Sequence, residues 1–267
     1  MPSVVPFLSI VIPTHNRPAL LERALNSIRS QRSALPCEII VVSDAAHADN
    51  DAVCLRALGP EDIQVRRNGA PGPSASRNLG ISLASGRYLM FLDDDDAWHP
   101  GFLARVAEMS ALREDRFVYF DCSVVTENRA QPLPVAISER KLDLSAQLDE
   151  RVFVKNQIHM SCLAFPRRLI GDTRFDAHMR AYEDWDFQLA LYEKEWPRHV
   201  PIQASVVYEV NDESTDRRGS SQNANNFHAV MDYLYVYRRH PAPSANVREQ
   251  RAELMRQVGI SAPAEVF

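Results

Sequence analysis

The chain has 267 residues, 45% hydrophobic and 24% charged, with a formal net charge of −5. That is an ordinary globular composition, long enough to bury a full core. The acidic balance argues against sequence-independent binding to DNA or RNA, which needs a basic surface, so no nucleic-acid partner is expected.

The first half alternates apolar strands with helical patterns. Leu8 to Ile12 is a short β-branched run stopped by Pro13. A helix is predicted from about Pro18, with Leu21, Ala24, Leu25 and Ile28 on one face and Thr14 or Asn16 as its cap. Glu38 to Val42 is a second buried-type strand, followed by a polar stretch and a helix over Ala52 to Leu58. Ile63 to Val65 is a third strand, and Asn68 to Pro73 is a loop by its Gly/Pro density. A helix over Ser74 to Ala84 leads to a fourth strand, Tyr88 to Leu92, which ends in Asp93-Asp94-Asp95-Asp96. This alternation predicts a mostly parallel sheet covered on both faces, with ligands beyond the carboxyl ends of its strands. Thr14 to Arg17, Ser43-Asp44 and the aspartate run all fall at such ends.

The second half is less regular. Pro100 to Leu112 reads as a helix and Phe117 to Val125 as a strand; residues 126–150 read as a polar, variable excursion. Ser161 to Phe165, preceded by His159, reads as a strand. Glu183 to Glu195 is helical, with Trp185, Leu189, Tyr192 and Trp196 on one stripe. Val206 to Val210 is a late strand, 211–226 a polar loop, and Phe227 to Arg239 and Val247 to Val258 two terminal helices. Phe227, Met231, Leu234 and Tyr235 form a stripe whose commoner use is packing and whose alternative is a membrane surface or partner. No run is long enough for a spanning helix, and Met1 to Pro6 lacks the pattern of a secretion signal. Cys37, Cys54, Cys122 and Cys162 form no CxxC pair and are expected as buried free thiols in a reducing cytoplasm.

Several polar residues admit two readings. Four adjacent carboxylates after a buried strand raise one another's pKa, which a divalent cation relieves; the alternative is a solvated acidic turn. Asp44 is either a turn former or a partner for a nucleobase or ribose. Arg17 and Arg77 suit a phosphate or a solvated face. Glu183-Asp184 is either a helix cap or an ionised carboxylate able to accept a proton. His159 reads as a structural residue ahead of a substrate contact, and Trp98 and Trp185 as packing residues.

Taken in order, five segments resemble the inverting GT-A glycosyltransferases of family two. They are Ser9 to Arg17, Glu38 to Asp44, Arg77 to Ile81, Gly86 to Asp96, and Phe175-Asp176 with Glu183 to Phe187. The resemblance implies a GT-A, Rossmann-like α/β fold with a mostly parallel central sheet flanked by helices and a C-terminal helical extension. It assigns residues 1–215 to the transferase domain, with 1–98 as the nucleotide-sugar half and 99–215 as the acceptor half, and 216–267 to a loop and terminal helices. Pro13, Thr14, Arg17, Asp44 and Arg77 would hold the nucleotide of a sugar donor, most often a UDP-sugar. Asp93 and Asp95 would form the DxD-type pair for Mn²⁺ or Mg²⁺, with Asp95 the direct ligand and Asp94 near the ribose or metal. Asp184 would be the general base. The acceptor would be a glycan, a lipid-linked sugar or a small molecule, and the place of work the cytoplasm, with peripheral contact at the inner membrane surface.

Two features depart from the family pattern. Ser43-Asp44-Ala45-Ala46 stands where Asp-Asp-Gly-Ser is common, and Tyr208 to Ser214 has no histidine where many members place one near the diphosphate. Arg217 and Arg218 are candidate substitutes. The competing readings are a catalytically silent nucleotide-sugar-binding module and a sugar-phosphate nucleotidyltransferase. The second is disfavoured because the first strand leads into Pro13-Thr14-His15-Asn16, without the glycines that cradle a triphosphate.

Overall fold

The computed structural model describes residues 5–129, 134–210 and 227–267. In its first part β1 (Leu8–Thr14), α1 (Pro18–Arg29), β2 (Cys37–Ser43), α2 (Ala48–Ala57), β3 (Ile63–Arg66), α3 (Pro73–Leu83) and β4 (Tyr88–Phe91) follow the expected alternation. The order is β3-β2-β1-β4, all parallel, with Leu8 opposite both Cys37 and Tyr88. β1 and β2 are buried at every position because helices cover both faces. Ile10, Ile12, Ile39 and Val41 share a core with α1 and α2, while Val11, Ile40 and Val42 share one with Ile81 and the later helical residues Trp185, Phe187 and Leu189. α3 lies so close to β1 that a Cβ on Gly80 would stand 2.3 Å from a Val11 methyl.

The sheet then changes character. After β5 (Ala97–Trp98), α4 (Phe102–Glu108) and α5 (Ser110–Arg113) come β6 (Val118–Asn128), β7 (Val135–Leu142), β8 (Leu163–Pro166), α6 (Arg167–Ile170), α7 (Glu183–Tyr192), β9 (Arg198–Val210), α8 (Phe227–Arg239) and α9 (Ala245–Gln257). β8 joins β4 antiparallel and the order continues β8-β6-β9-β5, with β7 hairpinned onto β6. β9 runs parallel to β6. The sheet is therefore parallel at one end and mixed at the other.

Three sequence expectations need correction here. The polar excursion contains β7, whose residues are nearly all exposed, so no buried face announced it. The helix over Pro100 to Leu112 is broken at Met109, whose backbone is extended. β9 begins eight residues before Val206 and passes through Pro201 at an irregularity, where a residue without an N–H is tolerated.

The terminal helices pack on α7. His240 places one ring nitrogen 2.7 Å from Glu193 and the other 3.0 Å from Asp186. Arg251 is wholly buried; it donates to the backbone oxygens of Phe153, Tyr237, His240 and Phe267 and lies over the Tyr237 ring. On α8, Leu234 packs inward while Met231 and Tyr235 are exposed. All four cysteines are buried and free, and Trp98 and Trp185 are core residues.

Candidate active site

A cleft of about 670 Å³ opens beyond the carboxyl ends of β1, β2 and β4. Pro13, Thr14, Arg17, Asp44, Arg77, Asp93, Asp94 and Asp95 all line it. Parallel topology makes this convergence unavoidable: each residue follows, or caps the crossover after, a strand pointing the same way. Asp184 is not on the wall; it sits one residue beyond Glu183, which reaches Arg77. Arg217 and Arg218 lie outside the described residues, as do Asn211 to Ser214.

The aspartates divide by partner. Thr14 does not cap α1, whose N-cap is Arg17 without a side-chain bond; its hydroxyl donates instead to Asp94 at 2.7 Å. Arg17 forks between Asp94 at 2.9 Å and Asp95 at 3.0 Å, and Arg129 adds a second guanidinium to Asp95 at 3.3 Å. Arg77, 5% exposed, bridges Asp93 at 2.7 Å and Glu183 at 3.0 Å. Asp96 accepts from the Tyr208 amide at 3.1 Å through Oδ1, while its buried Oδ2 has no hydrogen-bond partner.

Electrostatics follows from this wiring. Burial works against the charge of Asp93, but Arg77 beside it holds its carboxyl below the usual range. Asp94 is pushed up to about 7, chiefly by burial, with Asp95 and Asp93 adding to the effect and Arg17 opposing it. Asp96 is likewise pushed up to about 7 by burial, against the pull of His159. Glu183 is raised by burial, with Arg77 opposing. The site therefore carries more carboxylate than its arginines neutralise, which is a demand for positive charge.

One corner of the cleft is built around Asp44. His15 Nδ1 lies 2.5 Å from Oδ1, and the Gly72 amide donates to Oδ2 at 2.7 Å. The Pro71-Gly72-Pro73 loop is thereby tied to the second strand. Asn16 sits at φ 50, a left-handed conformation that asparagine tolerates.

A second corner is set by α7. Tyr182, just before the helix, is held at φ 62, a costly conformation for a bulky residue, with its ring against Tyr233 of α8. That turn aims Glu183 at Arg77 and sets Asp184 in the first helical turn, where the helix dipole favours an ionised carboxylate. Asp184 accepts from the Trp185 amide at 2.8 Å and from Asn156 at 3.1 Å. Trp185 is fully buried and donates to the Val152 carbonyl at 2.7 Å, which pins the residue next to Asp184.

Sequence reasoning gave no role to Asp96, Arg129 or Tyr208, and it favoured a structural role for His159. Yet Asp96, His159 and Tyr208 line the cleft, and ligand atoms of Asp93, Asp96 and His159 lie within 4.8 Å of one another. The available signal for His159 was its place just before β8, the strand paired with β4.

Comparison with known proteins agrees with this geometry. The family model described as glycosyl transferase family 2 matches residues 9–164. An uncharacterised Bacillus subtilis glycosyltransferase, YwdF, is 34% identical over 213 residues, 77% of this chain and 75% of its own. The Campylobacter jejuni GalNAc(5)-diNAcBac-PP-undecaprenol β-1,3-glucosyltransferase is 27% identical, covering 86% of this chain and 72% of its own. Among solved structures, S. aureus TarS 1-349 in complex with UDP-GlcNAc superposes with a TM-score of 0.61 at 16% identity, over 95% of this chain and 73% of its own. The chain belongs to glycosyl transferase family 2, and it is a glycosyltransferase with the GT-A fold.

Proposed function

We propose that the enzyme transfers a sugar from a nucleoside-diphosphate sugar, with a UDP-sugar favoured, to an acceptor hydroxyl in one displacement that inverts the anomeric carbon. The observation that carries this reading is the cleft lined by Arg17, Arg77, Asp44 and the aspartate run, with Asp184 one residue beyond the Glu183 that pairs with Arg77. Residues 1–98 would hold the donor, 99–215 the acceptor and base, and 216–267 would add the terminal helices.

Asp44, held by His15 and the Gly72 amide, would face the nucleobase. Pro13, Thr14, Arg17 and Arg77 would position the ribose and diphosphate, the two guanidiniums supplying fixed positive charge. Asp184 Oδ1 or Oδ2 would take the proton of the acceptor hydroxyl as its oxygen attacks. The bond to the diphosphate oxygen breaks on the opposite face, and no acid is needed there because a nucleoside diphosphate leaves readily.

A divalent cation, Mn²⁺ or Mg²⁺, fits the site. The orphaned, buried Oδ2 of Asp96 and the surplus of carboxylate both support it. Asp93 and Asp95 are the pair the sequence assigns to it, and when bound it would neutralise charge on the leaving diphosphate.

The name of the Campylobacter relative supports a lipid-linked acceptor, met from the cytoplasm at the inner membrane surface. No helix among the described residues is long and apolar enough to cross a membrane, which fits peripheral contact.

Calorimetric titration with UDP, GDP and dTDP, with and without Mn²⁺, on wild type and Asp95→Ala tests the donor assignment. One nucleotide should bind, more tightly with Mn²⁺. Absence of binding by all three in the presence of cation would remove the donor site from this cleft.

A further inference from the structure

We propose that the cation seat in this chain is the triad Asp93, Asp96 and His159, two carboxylates and one imidazole, and not the Asp93–Asp95 pair. The proposal rests on the donor-site reading above and names the ligands within it.

Three observations carry it. First, one donor atom from each of Asp93, Asp96 and His159 falls within 4.8 Å of the other two, and Asp95 is not part of that group. Second, Asp96 is 3% exposed, and its Oδ2 faces the cleft with no hydrogen-bond partner. A buried carboxylate oxygen left in this state is expensive unless something positive meets it. His159 Nδ1 stands 3.6 Å away, too far for a hydrogen bond, and is itself held by Ser161, so it leaves Asp96 Oδ2 unsatisfied. Third, Asp95 is already served by Arg17 at 3.0 Å and Arg129 at 3.3 Å, both on Oδ2. A dication beside that oxygen would meet two guanidiniums at close range. Asp93 pairs with one guanidinium, Arg77, through Oδ1, so a dication there would meet less fixed positive charge than one at Asp95.

Fold position explains the geometry. Asp93 and Asp96 follow β4, the backbone turns between them with the Asp96 amide donating to the Asp93 carbonyl at 3.0 Å, and His159 precedes β8, the antiparallel neighbour of β4. A histidine delivered from β8 would supply the nitrogen ligand from beneath the aspartate turn. Its ring is held by Ser161, whose hydroxyl lies 2.8 Å from Nδ1.

The ligand set has a chemical consequence. Mg²⁺ prefers oxygen and water, whereas an imidazole suits later transition ions. The triad should therefore discriminate strongly for Mn²⁺ or Co²⁺ against Mg²⁺.

The test is direct binding, read without turnover. Co²⁺ is titrated into the full chain with UDP present and its visible d–d absorption recorded; Mn²⁺ binding is counted by the loss of the free-ion EPR signal. Wild type should bind one ion. His159→Ala and Asp96→Asn should each weaken it by about 10-fold or more, the scale of losing part of a metal's support. Asp95→Asn should leave it within about 3-fold. Thermal unfolding of each variant separates lost ligation from lost fold. Loss of the ion in Asp95→Asn with retention in His159→Ala would overturn the triad and leave the transferase reading intact. Failure of wild type to bind any ion would also overturn it, and UDP titration in EDTA would then show whether the donor site stands on its own.

Discussion

Residues 8–98 and residues 99–210 share one sheet but reach the cleft by different routes. In the first region, parallel strands joined by helices deliver their polar ends to one edge, so partners meet by topology: Thr14 with Asp94, Arg17 with Asp95, His15 with Asp44. In the second, each contribution comes from a different connection: Glu183 from the start of α7, Arg129 from the end of β6, His159 from the approach to β8. The difference teaches that the first region's side of the cleft is pre-organised from within, whereas the second region is clamped on by a few cross-links, chiefly Arg77 between Asp93 and Glu183.

The strongest way to separate the two regions is Asp184→Asn. Transfer should fall roughly 10²- to 10⁴-fold, the usual worth of a general base, while UDP affinity stays at the wild-type value. A matching loss of UDP affinity would show that the regions do not act separately.

Arg77→Met attacks the clamp itself. It leaves Asp93 and the mostly buried Glu183 without their shared cation, a cost of about 3 kcal/mol in urea unfolding. Unfolding at wild-type denaturant concentration would show that the second region is held by packing alone.

Gly80→Ala probes the interior of the first region. The new methyl would collide with Val11, costing about 1–3 kcal/mol of overpacking, and the paired change Val11→Ala should recover part of it. Additive losses in the double variant would rule out the direct collision.

The smallest effect concerns the terminal helices. Burial disfavours charge on His240, but its bonds to Asp186 and Glu193 outweigh burial and raise its pKa above the ordinary value. Its contribution is therefore complete below about pH 6.5 and is lost as pH rises through the raised value. Amide exchange in α8 and α9, corrected for intrinsic rates, should loosen by on the order of 1 kcal/mol across that rise. His240→Asn should abolish the pH dependence; an unchanged slope in that variant would assign it elsewhere.

The same contrast explains what could be read from the sequence. β1 to β4 were legible because strands buried on both faces are unbroken apolar runs, and the convergence of Thr14, Asp44 and the aspartates followed from parallel topology. The base proposed at Asp184 rests on resemblance, since a carboxylate opening a helix looks the same whether it caps or catalyses. β7 escaped because its residues face solvent on both sides, and the start of β9 escaped because Pro201 interrupts it. Which aspartate is held by which arginine was not legible, because Arg129 and Asp95 are brought together only by long-range strand pairing.

The irregular start of β9 also sets a phase. Val118 pairs with Arg198 but Cys122 pairs with Ser205, so β9 spends three more residues than β6 over that stretch. Three is odd, and side chains alternate along a strand, so the insertion exchanges which residues face each side of the sheet downstream. It is this exchange that presents the Tyr208 ring to Arg23 at 3.6 Å and its amide to Asp96. Deleting one residue between Pro201 and Ala204 would restore the even count and turn Tyr208 away. An insertion or deletion of two residues here would keep the phase, whereas a single-residue change would invert it.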